Sequence, residues 1–171
     1  MFLFLVPSSL HGARFRTTRP PSIVEKEHRL SDARDHADHV NTWMQEVAGL
    51  SSEQLLELFE QGIRALWNQA CLTLGDVTLI AIMDRVLYDA AEKFPPFEFL
   101  KVEDTGIDTR ELRSKREFVD DPKVPEAIRF VLIEFLFVIG NLTAEVLAPA
   151  LHAELSKVKF NAADSERDET Q

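Results

Sequence analysis

The stretch from Phe130 to Ile139 constrains the fold more than any other part of the sequence, because it is apolar at every position except Glu134. A helix that is apolar on all sides is buried over most of its surface. The stretch is too short to span a membrane, which takes about 20 apolar residues. Pro125 stands just before it, and proline is tolerated in the first turn of a helix. These features predict the central helix of a helical bundle.

Other parts of the chain carry apolar residues at helical spacing and predict further helices. The clearest start is at Ser51, which has the capping-box spacing with Gln54. The clearest end is at Pro95-Pro96, because proline breaks a helix. The predicted helices cover about residues 30–47, 51–75, 76–93 and 144–158, the last bent or restarted at Pro149. Together they predict an all-α bundle of four to five helices, with one long crossover connection at about residues 95–124.

The two ends of the chain differ from its middle. Residues 1–22 contain three Arg and no Asp or Glu, which predicts a disordered or targeting-like leader, with an organellar transit peptide as the alternative. Residues 161–171 are predicted to be an acidic, disordered tail. Residues 23–160 are predicted to form a single helical domain. The expected location is the cytoplasm, or an organelle if residues 1–22 are a transit peptide.

Composition and missing motifs exclude several kinds of function. The net charge of −10 repels phosphate backbones, so no nucleic-acid partner is expected. Membrane association is also not expected, because six apolar residues at Met1–Val6 without a second anchor bind only weakly. Cys71 is the single cysteine, which rules out an internal disulfide and a cysteine-rich zinc site. The sequence has no phosphate-binding glycine loop, no nucleophile elbow and no His-Glu-x-x-His helix, so no cofactor is predicted.

One stripe of the first predicted helix is a candidate interface. Its members are spaced three and four residues apart, as in a coiled-coil seam. They are Leu30, Ala33, Ala37, Val40 and Met44. The stripe extends over only two heptads, so packing of this helix on its own domain is the alternative.

The same helix carries a candidate metal site at His36 and His39. The two imidazoles are three residues apart with carboxylates nearby, a donor set that suits a transition metal. A solvated helix face is the favoured interpretation of these residues, because the apolar stripe runs along a different side of the helix.

Three polar residues in the C-terminal third form a candidate ligand site. Glu134 interrupts the most apolar helix, and an ionised carboxylate in a dry core needs a partner. Asn141 follows the same helix, and His152 lies on the next one. A bundle cavity lined by these three residues would suit a bound ligand.

The favoured interpretation is a non-enzymatic regulatory or adaptor domain that binds a partner protein or a second copy of itself. The alternative is a ligand-binding sensor or small enzyme that uses the cavity around Glu134, Asn141 and His152.

Overall fold

The structure is a computed structural model that describes residues 23–103, 106–119 and 121–159. The predicted leader at residues 1–22 and the predicted tail at residues 161–171 lie outside these residues.

The described residues confirm the all-α prediction. Five long helices build the domain: α1 (Ile23–Glu46), α2 (Ser52–Leu74), α3 (Asp76–Lys93), α6 (Val124–Leu142) and α7 (Ala148–Lys157). The start of α2 has the predicted capping box, in which the Ser51 hydroxyl accepts from the Gln54 amide at 3.3 Å and the Gln54 side chain accepts from the Ser51 amide at 3.0 Å. The helix predicted from residue 144 instead starts at Ala148, where Pro149 occupies its first turn.

The predicted crossover between α3 and α6 is a chain of short elements. It contains a 3₁₀ turn (Pro95–Phe99), the strands β1 (Lys101–Glu103) and β2 (Gly106–Asp108), and the helices α4 (Arg110–Ser114) and α5 (Arg116–Val119). The two strands form an antiparallel hairpin in which Val102 pairs with Ile107. Thr109, which is fully buried, donates to Glu60 of α2 at 2.8 Å. The crossover is thereby fixed against the side of the bundle.

The core surrounds α6, as the sequence predicts. Phe135, Leu136 and Ile139 of this helix are completely buried. Helix α6 contacts α1, α2, α3 and α7, which explains why its sequence is apolar on nearly all sides. Within the described part of the chain, no helix combines the length and the apolar character that crossing a membrane requires.

Contacts between the helices fix which helix ends lie together. Helices α1 and α6 are antiparallel, since His36 lies against Gly140 whereas Arg129 donates to Asn41 at 3.1 Å. Trp43 of α1 donates to the carbonyl of Val158 at 3.0 Å, which joins the C-terminal ends of α1 and α7. Consequently the first half of α1 and the α6–α7 turn lie at one end of the bundle.

Phe94, just after α3, packs against Phe130 in the first half of α6, with ring centroids 5.9 Å apart. Since α3 and α6 pack on each other, α3 runs antiparallel to α6, and the α2–α3 turn lies at the same end.

Candidate functional site at one end of the bundle

Four polar side chains from three separate elements meet near this end. They are His36 and His39 of α1, His152 of α7 and Glu145 of the α6–α7 turn, and we call them the histidine–glutamate cluster. His36 Nδ1 and His152 Nε2 are 2.8 Å apart and share a hydrogen bond. The rings of His39 and His152 are stacked, with centroids 3.8 Å apart. The cluster thus joins segments more than a hundred residues apart in the chain.

His36 is the buried centre of the cluster, with 1% of its surface exposed. Its second ring nitrogen, Nε2, lies 3.3 Å from Oε2 of Glu145. No hydrogen bond joins the two atoms, but they are close enough to form an ion pair when His36 is protonated. A buried polar atom without a hydrogen bond is uncommon and is often found at functional positions.

The turn that carries Glu145 has an unusual backbone. Ala144 and Glu145 have φ angles of 48° and 61°, in the left-handed region that residues with side chains rarely adopt. The Glu145 amide donates to the carbonyl of Gly140 at 2.8 Å and holds the turn closed. Such backbone strain persists only where surrounding contacts fix it, and it is frequent at functional sites.

Gly140 makes room for this arrangement. A Cβ atom at this position would contact the carboxylate of Glu145, and it would lie 2.8 Å from Nε2 of His36. Cβ atoms in real structures essentially never come within 3.0 Å of a non-bonded heavy atom. The approach of Glu145 to His36 therefore requires a residue without a side chain on α6.

Electrostatics keeps part of the cluster uncharged. Burial, followed by the neighbouring His39 and His36, lowers the pKa of His152 to about 4, while Asp35 opposes the shift. His152 is consequently neutral at pH 7. Its Nε2 is occupied by the bond to His36.

The metal-site hypothesis for His36 and His39 gains no support from this geometry. Among the described residues, we find no group of three His, Cys, Asp or Glu side chains placed to hold a metal ion. The nitrogen lone pairs of stacked rings, such as those of His39 and His152, lie in nearly parallel planes and do not converge on one ion. A metal site at these residues stays a prediction.

The expectation that this face of α1 is solvated is wrong for His36. The buried stripe runs through His36, Val40 and Trp43 of α1 and reaches Val47 just after the helix, at spacings of four, three and four. Helix α7 and the α6–α7 turn cover His36, whereas His39 is exposed on its outer side. The predicted stripe from Leu30 to Met44 omits Trp43 and His36, although the same spacing rule includes both.

The five residues of the predicted interface stripe differ in how deeply they are buried. Val40 is completely buried and Leu30 is 67% exposed, while Ala33, Ala37 and Met44 are half-buried. Val40 is therefore not accessible to a partner, which favours the alternative that α1 packs on its own domain. Leu30 remains available for contact.

The three residues of the predicted ligand site do not meet. The Asn141 side chain is exposed and donates to the Phe137 carbonyl of its own helix at 2.8 Å. Glu134 is half-buried, and we find no hydrogen bond or ion pair of its carboxylate with the residues that the structure describes. Only His152 belongs to the cluster. A ligand-binding role for these residues stays a prediction.

Exposed apolar side chains concentrate at the same end of the bundle. Of the described residues, six large hydrophobic side chains are strongly exposed, and only Tyr88 lies elsewhere, in the second half of α3. The other five define what we call the apolar end: Leu30 (67% exposed), Leu72 (85%), Val77 (84%), Leu142 (59%) and Val146 (77%). Leu72 and Val77 flank the α2–α3 turn, and Leu142 and Val146 flank the strained residues of the α6–α7 turn.

Polar contacts also fix the α2–α3 turn. The Asp76 carboxylate accepts from Sγ of Cys71 at 3.0 Å and from Nε1 of Trp67 at 3.2 Å. The bond from Cys71 lowers the pKa of Asp76 most, and the bond from Trp67 lowers it too. The same bond to the carboxylate raises the pKa of the Cys71 thiol. Cys71 is thus protonated at neutral pH and is a poor nucleophile.

No protein-family model, no curated protein and no solved structure matches this chain.

Proposed function

We propose that this chain is a non-enzymatic regulatory or adaptor domain that binds a partner protein, or a second copy of itself, through the apolar end of the bundle. The observation that supports the proposal is the concentration of exposed aliphatic side chains at that end. Scattered single hydrophobic residues are normal on a protein surface, whereas several of them at one end of a domain favour an interaction surface.

The histidine–glutamate cluster gives this surface a fixed shape. Leu142 and Val146 flank the strained Ala144 and Glu145, and Glu145 is held by its contact with the buried His36. A preformed surface loses less conformational entropy on binding than a flexible one. The cluster therefore serves the proposed function by holding the α6–α7 turn, without taking part in a reaction. The cytoplasmic location expected from the sequence belongs to the same proposal.

The test compares aspartate substitutions at the apolar end with one elsewhere. Val77→Asp and Val146→Asp place a charge on strongly exposed positions, so the fold should survive. Tyr88→Asp is the matched control, because Tyr88 is the exposed hydrophobic residue outside this end. We expect both valine variants to weaken binding at least about tenfold, or about 1.4 kcal/mol, while the control binds like the parent.

Two readouts cover the two kinds of partner. Sedimentation velocity over a range of protein concentrations measures self-association, and affinity capture from cell extract with the immobilised domain measures binding of other proteins. A bound species that is lost in Val77→Asp and Val146→Asp but retained in Tyr88→Asp supports the proposal. Binding that is equal in all variants, or absent from the parent in both assays, contradicts it.

A further inference from the structure

We propose that the hydrogen bond between His36 and His152 is an acid-sensitive latch, which holds α7 on α1 and opens when both imidazoles are protonated. The bond joins two helices across 116 positions of the chain, so its loss separates elements that only the tertiary fold brings together. The inference goes beyond the proposed function, because the latch can be tested without any binding partner.

The number of protons on the two rings decides whether the latch can form. Nδ1 of His36 and Nε2 of His152 are 2.8 Å apart, and a hydrogen bond between two nitrogens needs one N–H group and one lone pair. Neutral imidazole offers both, whereas both nitrogens of imidazolium are donors. Two neutral rings, or one neutral ring and one imidazolium, can therefore form the bond. In two imidazoliums, two N–H groups would face each other, and the bond is lost.

The same geometry suits a shared proton better than a shared metal ion. The hydrogen bond points the two nitrogens at each other, whereas the ligands of a metal point their lone pairs at one common centre. The latch is therefore expected to respond to pH.

Carboxylates beside the latch accommodate the first added proton. Oε2 of Glu145 lies 3.3 Å from Nε2 of His36, so an imidazolium at position 36 forms an ion pair with the α6–α7 turn. On α1, Asp32 and Asp35 lie within about one turn of His36, and Asp35 favours the charged form of the α7 ring. Gly140, the α6 residue against the same ring, has no side chain that titrates. One added proton thus leaves the bond intact.

The second proton is opposed by burial and by the neighbouring rings. His152 is half-buried, and the ring of His39 is stacked on it with centroids 3.8 Å apart. Desolvation, followed by His39 and His36, lowers the pKa of His152 to about 4, whereas an exposed histidine has a pKa of about 6.5. The open form thus binds the second proton more readily than the closed form does. Opening is therefore favoured increasingly as the pH falls from about 6.5 towards 4, and the closed form is favoured above about pH 6.5.

Helix α7 is short enough to open without the rest of the bundle. It contains 10 residues, and isolated helices of fewer than about 12 residues are marginal in water. Local opening of such an element needs less free energy than global unfolding. Trp43 of α1 reports this step, because its indole nitrogen donates to the carbonyl of Val158, just after α7, at 3.0 Å.

Tryptophan fluorescence between about pH 7.5 and about pH 4 measures the opening. Trp67→Phe makes Trp43 the single tryptophan, and opening should shift its emission to longer wavelengths as water reaches the indole. We expect the equilibrium constant for opening to rise at least about tenfold between about pH 7 and about pH 4.5. Circular dichroism should retain most of the helical signal over this range, which separates release of α7 from global unfolding.

Two further substitutions in the Trp67→Phe background assign the effect to the latch. His152→Gln removes the second titrating ring, so its emission should no longer change with pH. His39→Gln is the matched control, because it removes a neighbouring imidazole and keeps the latch. Its transition should remain and move to higher pH, since His39 lowers the pKa of His152.

Nitrogen NMR of the histidine rings in the parent protein tests the same step without a substitution, because it distinguishes imidazole from imidazolium. Both rings of the latch should become imidazoliums over the pH range in which the emission of Trp43 shifts. An equal transition with and without His152→Gln would overturn the inference. So would an emission that stays constant down to about pH 4, or one that does not shift when both rings are charged.

Discussion

The two helix–helix turns at the apolar end both contain residues with positive φ angles, but the residue types and the contacts that support them differ. In the α2–α3 turn, the positive φ of 75° falls on Gly75, and the polar contacts of Asp76 reach no farther than Trp67. In the α6–α7 turn, positive φ angles fall on Ala144 and Glu145, and the supporting contact comes from His36, far away in the sequence. The first turn is therefore specified locally, and the second depends on the assembled bundle.

This difference has a functional meaning. A turn that depends on tertiary contacts can respond to changes elsewhere in the bundle, whereas a glycine turn keeps its shape as long as its own helices are formed. The α6–α7 turn is thus the half of the apolar end whose shape the histidine–glutamate cluster controls. The predictions that follow alter one turn at a time.

The largest effect is expected from removing the buried centre of the cluster. His36→Ala deletes a completely buried ring and leaves Glu145 and His152 without their partner, so the free energy of unfolding should fall by about 2–4 kcal/mol. His39→Ala is the control, because His39 is exposed and should cost less than about 1 kcal/mol. Urea unfolding measures both, and equal losses would show that His36 has no special role.

A methyl group on α6 should disturb the same contact from the other side. Gly140→Ala places a Cβ against Glu145 and His36, and the crowding should cost about 1–3 kcal/mol. Gly62→Ala is the matched helical control, since its Cβ would meet Cδ1 of Leu155 at 3.4 Å. Thermal unfolding should show little change for Gly62→Ala. If both variants unfold at the parent's temperature, Glu145 does not approach His36 as described.

Gly75→Ala in the α2–α3 turn and Ala144→Gly in the α6–α7 turn should have opposite effects on the stability of the fold. Gly75→Ala meets no atom within 4 Å, so its expected cost of about 1–2 kcal/mol comes from the backbone alone. Ala144→Gly should instead stabilise by about 0.5–1 kcal/mol, because glycine adopts a positive φ without strain. Chemical denaturation of the two variants checks the pair. A loss of stability in Ala144→Gly would argue against the left-handed backbone.

The smallest effect is a dependence of stability on pH. The pKa of His152 is lowered to about 4 in the folded protein, whereas the unfolded value is about 6.5. The neutral ring therefore contributes stability that is complete above about pH 6.5 and is lost as the pH falls towards 4. Because the ring is only half-buried, the contribution is about 1 kcal/mol after allowance for solvent screening. Unfolding free energies of the parent and His152→Gln should converge below about pH 4, and a constant difference would contradict the assignment.

The sequence predicts best those features of the fold that depend on neighbouring residues in the chain. The capping box at Ser51, the helix from Asp76 to Lys93 and the burial of the helix around Phe135 depend on residues near one another in the chain. The cluster could not be foreseen in this way. Neither Ala144 nor Glu145 is a typical left-handed residue, and the burial of His36 depends on α7, which follows more than a hundred residues later.

The candidate site was therefore predicted only in part. His36, His39 and His152 were selected, but as members of two separate sites, and Glu145 was not selected because its role arises from the fold of its turn. The exposed aliphatic residues Leu72 and Val77 were likewise not foreseen. Helical periodicity separates one face of a helix from another, but it does not show which residues extend beyond the neighbouring helices.

A double-mutant cycle between His36 and Glu145 tests the central claim most directly, because that claim is that their contact holds the α6–α7 turn at the apolar end. His36→Phe keeps a buried ring without its nitrogens, and Glu145→Gln removes the negative charge. The four unfolding free energies should give a coupling energy of about 1 kcal/mol. A coupling energy within about 0.3 kcal/mol of zero would mean that the turn keeps its shape without His36, and it would contradict this account.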